Sequence, residues 1–225
     1  MNERITSING DRLQQVADTA EEIDIHPDVC ALLAPLCELP DSSEYDEEVE
    51  AVTRAVDKRR REFFAGRTLA RAALSRLGFA AEAIARNEDR SPRWPDGIKG
   101  SISHTDEQVL VAVTASPDIL GIGIDLENEH SVDSELRGLI RADEREASMD
   151  DTVLFSAKES VFKAVYPLHG EFLEFADVVV LPGTTADAFI ANGRSGLASS
   201  EALQHGEGRI LLRQQRIITA YWVRN

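Results

Sequence analysis

Lysine is almost missing from this 225-residue chain: Lys58, Lys99, Lys158 and Lys163 are the whole set, and arginine supplies the remaining positive charge. Arginine is a planar, permanently charged fork and lysine a compact point charge that can release its proton, so some sites do not accept the exchange. All four lysines fall inside or beside segments that stand out below on other grounds. Cysteine is scarcer still. Cys30 and Cys37 flank Pro35 and on a helix would lie about 10 Å apart, too far to bridge. They read as two small buried hydrophobes in a reducing compartment, and nothing has the spacing of a structural zinc site. Basic residues are outnumbered 24 to 40 by acidic ones, for a net charge of −16, which argues against nucleic acid as a partner. No run of about 18 apolar residues exists to span a membrane, and Met1-Asn-Glu-Arg4 lacks the charged-then-apolar layout of a signal peptide. The expectation is a soluble cytoplasmic protein with no membrane partner.

What is present is enough for a core. Hydrophobic residues make up 43% of the chain, which allows one domain or two small ones. The local exception to the acidity is Lys58-Arg59-Arg60-Arg61, which is either a solvated helix face or a grip on an anion of limited size. It opens a helix running through Leu77 with a stop at Gly78, in which Phe63, Ala70, Leu74 and Leu77 form the buried stripe. Arg67 falls within about 40° of Phe63 on that wheel, and a buried guanidinium needs a carboxylate or phosphate.

Asn87 to Gly100, rich in Pro, Gly and charge, reads as a loop. Ser101-Ile-Ser103-His104-Thr105 and a strand at Val109–Val113 follow, then a turn at Ser116-Pro-Asp118 and a strand at Ile119–Leu126. A small helix starts or ends at Asp143–Glu146, and a longer one runs from about Thr152 to Tyr166 and is stopped near Pro167. Phe175–Leu181 and Arg209–Val223 read as strands, residues 183–208 take no assignment, and Ile5, Ile8, Ile23, Ile25 and Val29 lie in short strand-like runs. The expected class is α+β: two pseudo-symmetric α/β lobes, 1–117 and 118–225, each a small, mostly antiparallel sheet packed on one main helix. The repeat is one of architecture, not of sequence, and the active site is expected at the seam.

The densest chemistry is Phe155-Ser-Ala-Lys158-Glu159-Ser-Val-Phe162-Lys163-Ala164, together with Gly123-Ile-Asp125-Leu126-Glu127. Phe155, Phe162 and Tyr166 share about 40° of helix arc, and Glu159 lies against that stripe. Asp125 and Glu127 are two apart in a strand and so point to one side. Three carboxylates without cysteine or a histidine cluster suit a hard cation, Mg²⁺ before Zn²⁺.

Five motifs, in order over roughly residues 58 to 175, resemble the 4'-phosphopantetheinyl transferases of the large two-lobed monomeric type. These are a Lys-Arg-rich helix with Glu62-Phe-Phe-Ala-Gly66-Arg67-Thr-Leu-Ala-Arg71, then Ser91-Pro92-Arg-Trp94-Pro95-Asp-Gly97, Gly100-Ser-Ile-Ser103-His104, Gly123-Ile-Asp125-Leu-Glu127 and Ser156-Ala-Lys158-Glu159-Ser-Val-Phe-Lys163-Ala with a following Pro167-Leu168. Phe155 stands where many relatives have Trp. The resemblance implies transfer of the 4'-phosphopantetheine arm of coenzyme A to a serine of an apo acyl or peptidyl carrier protein in siderophore, polyketide or nonribosomal peptide synthesis, with release of 3',5'-ADP. It implies that Asp125 and Glu127 hold Mg²⁺, with the Leu126 carbonyl near the metal and Glu159 as third ligand or as the base. Lys163 would reach the phosphates, with Lys158 either a weaker candidate for that role or a structural residue. Arg59 and Arg67 would grip the adenosine-side phosphates with Ser103 and His104 on the 3'-phosphate, Arg90, Ser91 and Pro92 would line the adenine, and Leu173 would pack near the pantetheine arm. A monomer is implied, since two fused lobes can build the site that smaller relatives assemble between subunits. Two rivals are a Mg²⁺-dependent coenzyme A pyrophosphate hydrolase and a non-catalytic coenzyme A or carrier-binding module. Carrier proteins are themselves usually acidic, so long-range steering toward this chain is unfavourable without a local basic or apolar patch.

Overall fold

The computed structural model describes residues 12–130, 132–141 and 143–225, which form two compact units, the first ending at Ala115 and the second beginning at Ser116. The class is α+β with two antiparallel sheets.

In the first unit a four-stranded sheet has the order β1-β2-β4-β3, with β1 at Glu21–Glu22, β2 at Cys30–Pro35, β3 at Lys99–His104 and β4 at Gln108–Thr114. Residues 12–19 are helical (α1), followed by α2 (Asp46–Ala51) and α3 (Asp57–Arg76). Every residue of β4 is buried, as an interior strand of β-branched and small residues allows. Val109, Val111 and Val113 lie on the face that meets Leu69, Ala70 and Ala73 of α3. Small residues let helix and sheet approach closely: a Cβ on Gly66 would stand 3.1 Å from Ile102 Cγ2. Helix α3 begins five residues before Glu62 and ends as Gly78 enters the left-handed region at φ 84°. Leu77, expected in its buried stripe, is 36% exposed because it caps the helix end and lies beyond the sheet's reach. Ile23 and Ile25 are buried but lie just past β1, with the Ile23 N–H donating to Ala31 O. Ile5 and Ile8 lie outside the described residues. Cys37, expected to be buried, is exposed in a 3-10 turn after β2, while Cys30 is half-buried in β2.

The second unit has a five-stranded sheet in the order β5-β9-β8-β7-β6: β5 (Ile119–Asn128), β6 (Val178–Pro182), β7 (Ala188–Gly193), β8 (Gly206–Arg213) and β9 (Arg216–Arg224). The expected single run Arg209–Val223 is a hairpin, turned at Gln214 and Gln215 with φ 43° and 69°, as a two-residue turn between right-twisted strands requires. Residues 183–208 carry β7 and the short helix α6 (Ser200–Gln204), which alternation of apolar residues alone did not reveal. Phe175–Asp177, read as strand, is a 3-10 turn closed by the Glu174–Asp177 capping pair. Helix α4 (Ser134–Ile140) precedes a 3-10 turn at Glu144–Ser148 and the main helix α5 (Asp151–His169). Pro167 does not stop α5. It sits in the last turn, and the helix ends where Gly170 adopts φ 64° and donates to Tyr166 O.

The face that α5 lays on the sheet is Leu154, Ala157, Val161, Ala164 and Val165, not the aromatic stripe. Phe155, Phe162 and Tyr166 are half-buried on its shoulder. Among the described residues no helix is long and apolar enough to cross a membrane.

Candidate active site

Strand β5 explains how the acidic side chains are presented. Gly121, Gly123, Asp125 and Glu127 alternate onto one face. At the first two positions the backbone of α5 lies so close that a Cβ on Gly123 would collide with Ser160 O and Ala164 N, and one on Gly121 with Ala164 O. The contact is pinned one strand over: Thr219, the cross-strand partner of Asp125, donates to Ser156 O at 2.7 Å and shares a 2.9 Å hydrogen bond with Ser156 Oγ. With α5 held that near, the next side chains along the same face of β5 must meet those of the helix. Asp125, 4% exposed, accepts from Lys163 Nζ at 2.6 Å.

Glu159, one turn before Lys163, is half-buried. Burial pushes its carboxyl above the ordinary range; the nearby Lys163 ammonium lowers it and the Asp125 carboxylate raises it further. A carboxylate raised in this way holds a proton more readily than a free one, as a general base must. Leu126 is buried on the opposite face of β5, and Glu127 is half-buried at the strand's end. Among the described residues no three His, Cys, Asp or Glu side chains come together as a ready metal cage; Lys163 stands on Asp125 instead.

Beside Glu159 opens a cleft of about 510 Å³ whose walls include Phe162, Phe172, Leu173, Phe175 and Val178. Phe162 and Phe172 meet edge to face at 5.4 Å. Phe155 packs on Phe175 at 5.6 Å, so the aromatic shoulder of α5 supports the cleft wall through Phe162 and Phe175 while still resting on the edge of the core. Lys158 also lines this cleft, but its side chain is 2% exposed and its ammonium is ion-paired with Glu146 Oε1 at 2.9 Å.

The first unit carries a cavity of about 470 Å³ lined by Arg54, Arg59, Arg67, Arg86, Arg90 and His104, with Phe63, Pro92 and Ile102 as apolar wall. Arg67 is 5% exposed, donates from Nε to Ile84 O at 2.7 Å and lies over the Phe63 ring at 4.4 Å. Burial lowers it to about 10. Arg59 Nη1 is 2.9 Å from His104 Nε2, and Glu62 Oε2 lies 3.5 Å from both. The basic run therefore divides: Arg59 faces the cavity while Lys58 points outward to Asp106 at 2.5 Å. Behind the cavity Glu48, fully buried, pairs with Arg71 and accepts the Ile84 N–H at 2.9 Å, holding the segment that receives Arg67.

Strand alternation sends Ser103 to the face of β3 opposite His104, and Ser91 donates to Asp89 in a tight turn that gives Arg90 φ 74°; neither serine is on the cavity wall. Sequence reasoning missed Arg54, Arg86 and Glu62. Arg86 arrives through an isolated bridge to Pro92, a pairing with no local sequence signal, whereas Glu62 was visible one turn after Arg59. Five guanidinium groups gather around one small cavity, with Glu62 as its carboxylate, in a chain of net charge −16; that excess of positive charge is chemically suited to an anion.

Comparison with known proteins decides what the two sites belong to. The model of the 4'-phosphopantetheinyl transferase N-terminal domain matches residues 47–114, within the first unit. That of the 4'-phosphopantetheinyl transferase superfamily matches residues 121–220, within the second. The 4'-phosphopantetheinyl transferase Npt of Nocardia iowensis is 35% identical over 153 residues, covering 64% of this chain and 69% of that protein.

The chain belongs to the 4'-phosphopantetheinyl transferase superfamily.

Other members agree. The 4'-phosphopantetheinyl transferase Svp of Streptomyces mobaraensis is 38% identical over 163 residues, 68% of this chain and 66% of its own length. PptT of Mycobacterium tuberculosis is 33% identical over 140 residues, 58% and 62% respectively. The match thus spans about two thirds of the length of these transferases. Of the two units, the one with Asp125, Glu159 and Lys163 corresponds to the superfamily model, and the arginine-lined one to the N-terminal domain model.

Proposed function

We propose that this chain transfers the 4'-phosphopantetheine arm of coenzyme A to a serine hydroxyl of an apo acyl or peptidyl carrier protein, releasing 3',5'-ADP. Family membership supports the reaction class, and the observation that carries the residue assignment is the Asp125–Lys163–Glu159 cluster on β5 and α5. Glu159 takes the proton of the serine hydroxyl, directly or through a water, as the serine oxygen bonds to the phosphorus that bears pantetheine. The pyrophosphate P–O bond breaks on the far side of that phosphorus, and Lys163 places its charge beside the leaving phosphate. Positioning by the rigid β5–α5 contact does much of the work.

Asp125 and Glu127 are the side chains that would hold Mg²⁺, with the Leu126 carbonyl nearby and Glu159 as third ligand or as the base. The donor set fits: it is all oxygen, and a cation beside Asp125 and Glu159 would relieve the carboxylate repulsion and burial that raise Glu159. Bound there, the ion would supply charge neutralisation to the pyrophosphate. Arg59, Arg67 and His104 would take the 3'-phosphate, with Arg90 and Pro92 against the adenine. Ser103, next to His104, would join them on the 3'-phosphate, and Ser91, next to Arg90, would join at the adenine. Leu173 and the aromatic walls of the cleft would receive the pantetheine arm.

Both sets of residues reside in one chain, which supports a monomer, and two free cysteines are in keeping with the reducing cytoplasm. The test is incubation with coenzyme A, Mg²⁺ and a panel of apo-carriers from siderophore, polyketide, peptide and fatty-acid synthesis, read by intact mass. The expected result is a carrier heavier by one phosphopantetheine, with coenzyme A stable when no carrier is present. Equal consumption without a carrier would establish the hydrolase instead, and tight binding with no turnover across the panel the binding module.

A further inference from the structure

Lys158 precedes Glu159 in sequence but takes no part in the cluster. Its ammonium is enclosed and makes three contacts: to Ile140 O at 2.6 Å, to Phe175 O at 2.8 Å and to Glu146 Oε1 at 2.9 Å. Three acceptors use all three of its donors. Glu146, itself fully buried, accepts the Val180 N–H at 2.9 Å through Oε1 and the Asp143 N–H at 3.2 Å through Oε2. A single buried ion pair thereby joins five separate pieces of chain: the end of α4, the turn before α5, α5 itself, the 3-10 turn at Phe175 and strand β6.

Those pieces are the walls of the apolar cleft. Leu139 adjoins Ile140 on one side, and Phe175, Ala176 and Val178 form the other, with Glu159 at the edge. Backbone carbonyls of both walls are held by one ammonium, so the separation of the walls is set by the reach of the Lys158 side chain. A buried ion pair is poor value as a stabiliser compared with a well-packed apolar pair, because both charges lose their hydration. What an apolar pair does not do is hold two carbonyls at hydrogen-bond distance from a common point. Arginine, with its longer planar fork, does not reproduce that geometry, which accounts for a lysine here in a chain that otherwise uses arginine.

We propose that Lys158, with Glu146, is a positioning residue that fixes the width of the cleft beside Glu159 and so determines affinity for the pantetheine arm. The inference rests on the reading that this cleft receives the arm.

The test compares coenzyme A with 3',5'-ADP, which lacks the arm, by calorimetry on the full chain. Lys158→Met alone would leave Glu146 buried without its cation, so the informative variant is Lys158→Met/Glu146→Gln, which removes both charges. The expected result is a melting temperature near that of the wild type with coenzyme A bound about tenfold more weakly and 3',5'-ADP unchanged. Equal losses for the two ligands, or none for either, overturn the positioning role. Hydrogen exchange on the unaltered protein makes the same distinction if the double variant does not fold. Coenzyme A should slow exchange of the Val180 and Asp143 amides while 3',5'-ADP leaves them unchanged; equal slowing, or none, again overturns it. Ala176→Trp, which fills the cleft, separates the two levels of the argument. If it weakens both ligands alike, the assignment of the cleft has failed. If it weakens coenzyme A alone while the double variant binds both normally, only the role of Lys158 falls.

Discussion

Lys163 Nζ lies 2.6 Å from Asp125 Oδ1, across 38 residues of chain, and the reason is a glycine. Gly123 lets α5 rest directly on β5, and the next residue on that face of the strand is then delivered to the helix one turn beyond Glu159. An acid of one element and a base of the other are thus brought together without either lying in the hydrophobic core.

Removing either member of that pair should leave a folded protein that does not transfer. Asp125→Ala and Lys163→Met are each expected to lower kcat/KM by about 100-fold or more, the scale of losing a preorganised charge at a reacting centre. Mass-resolved turnover of an apo-carrier, with circular dichroism to establish folding, measures this. Unchanged turnover in either variant would remove the pair from the mechanism.

Glu159 gives a pH signature. Its carboxyl is raised, first by burial and then by Asp125, against the opposing pull of Lys163, so the folded state favours the protonated form. Its contribution to stability is therefore intact below the ordinary carboxylate range and is lost as pH climbs through the raised value. In chelated buffer, Glu159→Gln should melt close to the wild type at about pH 4 and above it at about pH 7.5, while abolishing transfer. A variant less stable than wild type at the higher pH would contradict the assigned cause.

Two glycines should respond in opposite senses. Gly123→Ala places a methyl group against the backbone of α5, where no flexible side chain can give way, and should cost about 3 kcal/mol or more along with activity. Gly138, exposed in α4 with open space where a Cβ would sit, should gain about 0.5–1 kcal/mol on replacement by alanine. Chemical denaturation of the two variants provides the comparison.

The arginines of the first unit differ in what they hold. Arg59, exposed beside His104, should on replacement by alanine weaken coenzyme A about tenfold with little effect on dephospho-coenzyme A and none on stability. Arg67, buried on Ile84 O and the Phe63 ring, should weaken coenzyme A more than dephospho-coenzyme A and also lower the melting temperature. Titration of both ligands together with thermal melts separates a phosphate contact from a packing contact; equal losses for the two ligands in Arg67→Ala would make it packing alone.

Period and punctuation made the elements near the sites legible. The two main helices, the strands β4 and β5, and the shared face of Asp125 and Glu127 follow from 3.6 and 2.0 repeats and from Gly78 acting as a stop. The burial of Arg67 followed from its place on the helix wheel. The aromatic stripe of α5 misled, because periodicity shows that residues share a face and not which face meets the sheet. Phe155, Phe162 and Tyr166 are on the shoulder, and smaller residues make the close contact. Pro167 misled for a related reason: a proline in the last turn forfeits one hydrogen bond, and the helix survives until Gly170 turns it.

The sequence by itself determined the class of this protein, the order of its motifs and the residue types on each helix and strand, since these depend on neighbours a few positions away. Tertiary structure alone decided which of those residues meet. The pairing of Lys163 with Asp125, the gathering of Arg54, Arg86 and Glu62 about one cavity, and the turning of Lys158 inward to Glu146 all join distant segments. Contacts of that kind are set by how closely packed elements can approach, which depends on glycines, sheet register and buried polar partners acting together, and no local repeat in the chain encodes it.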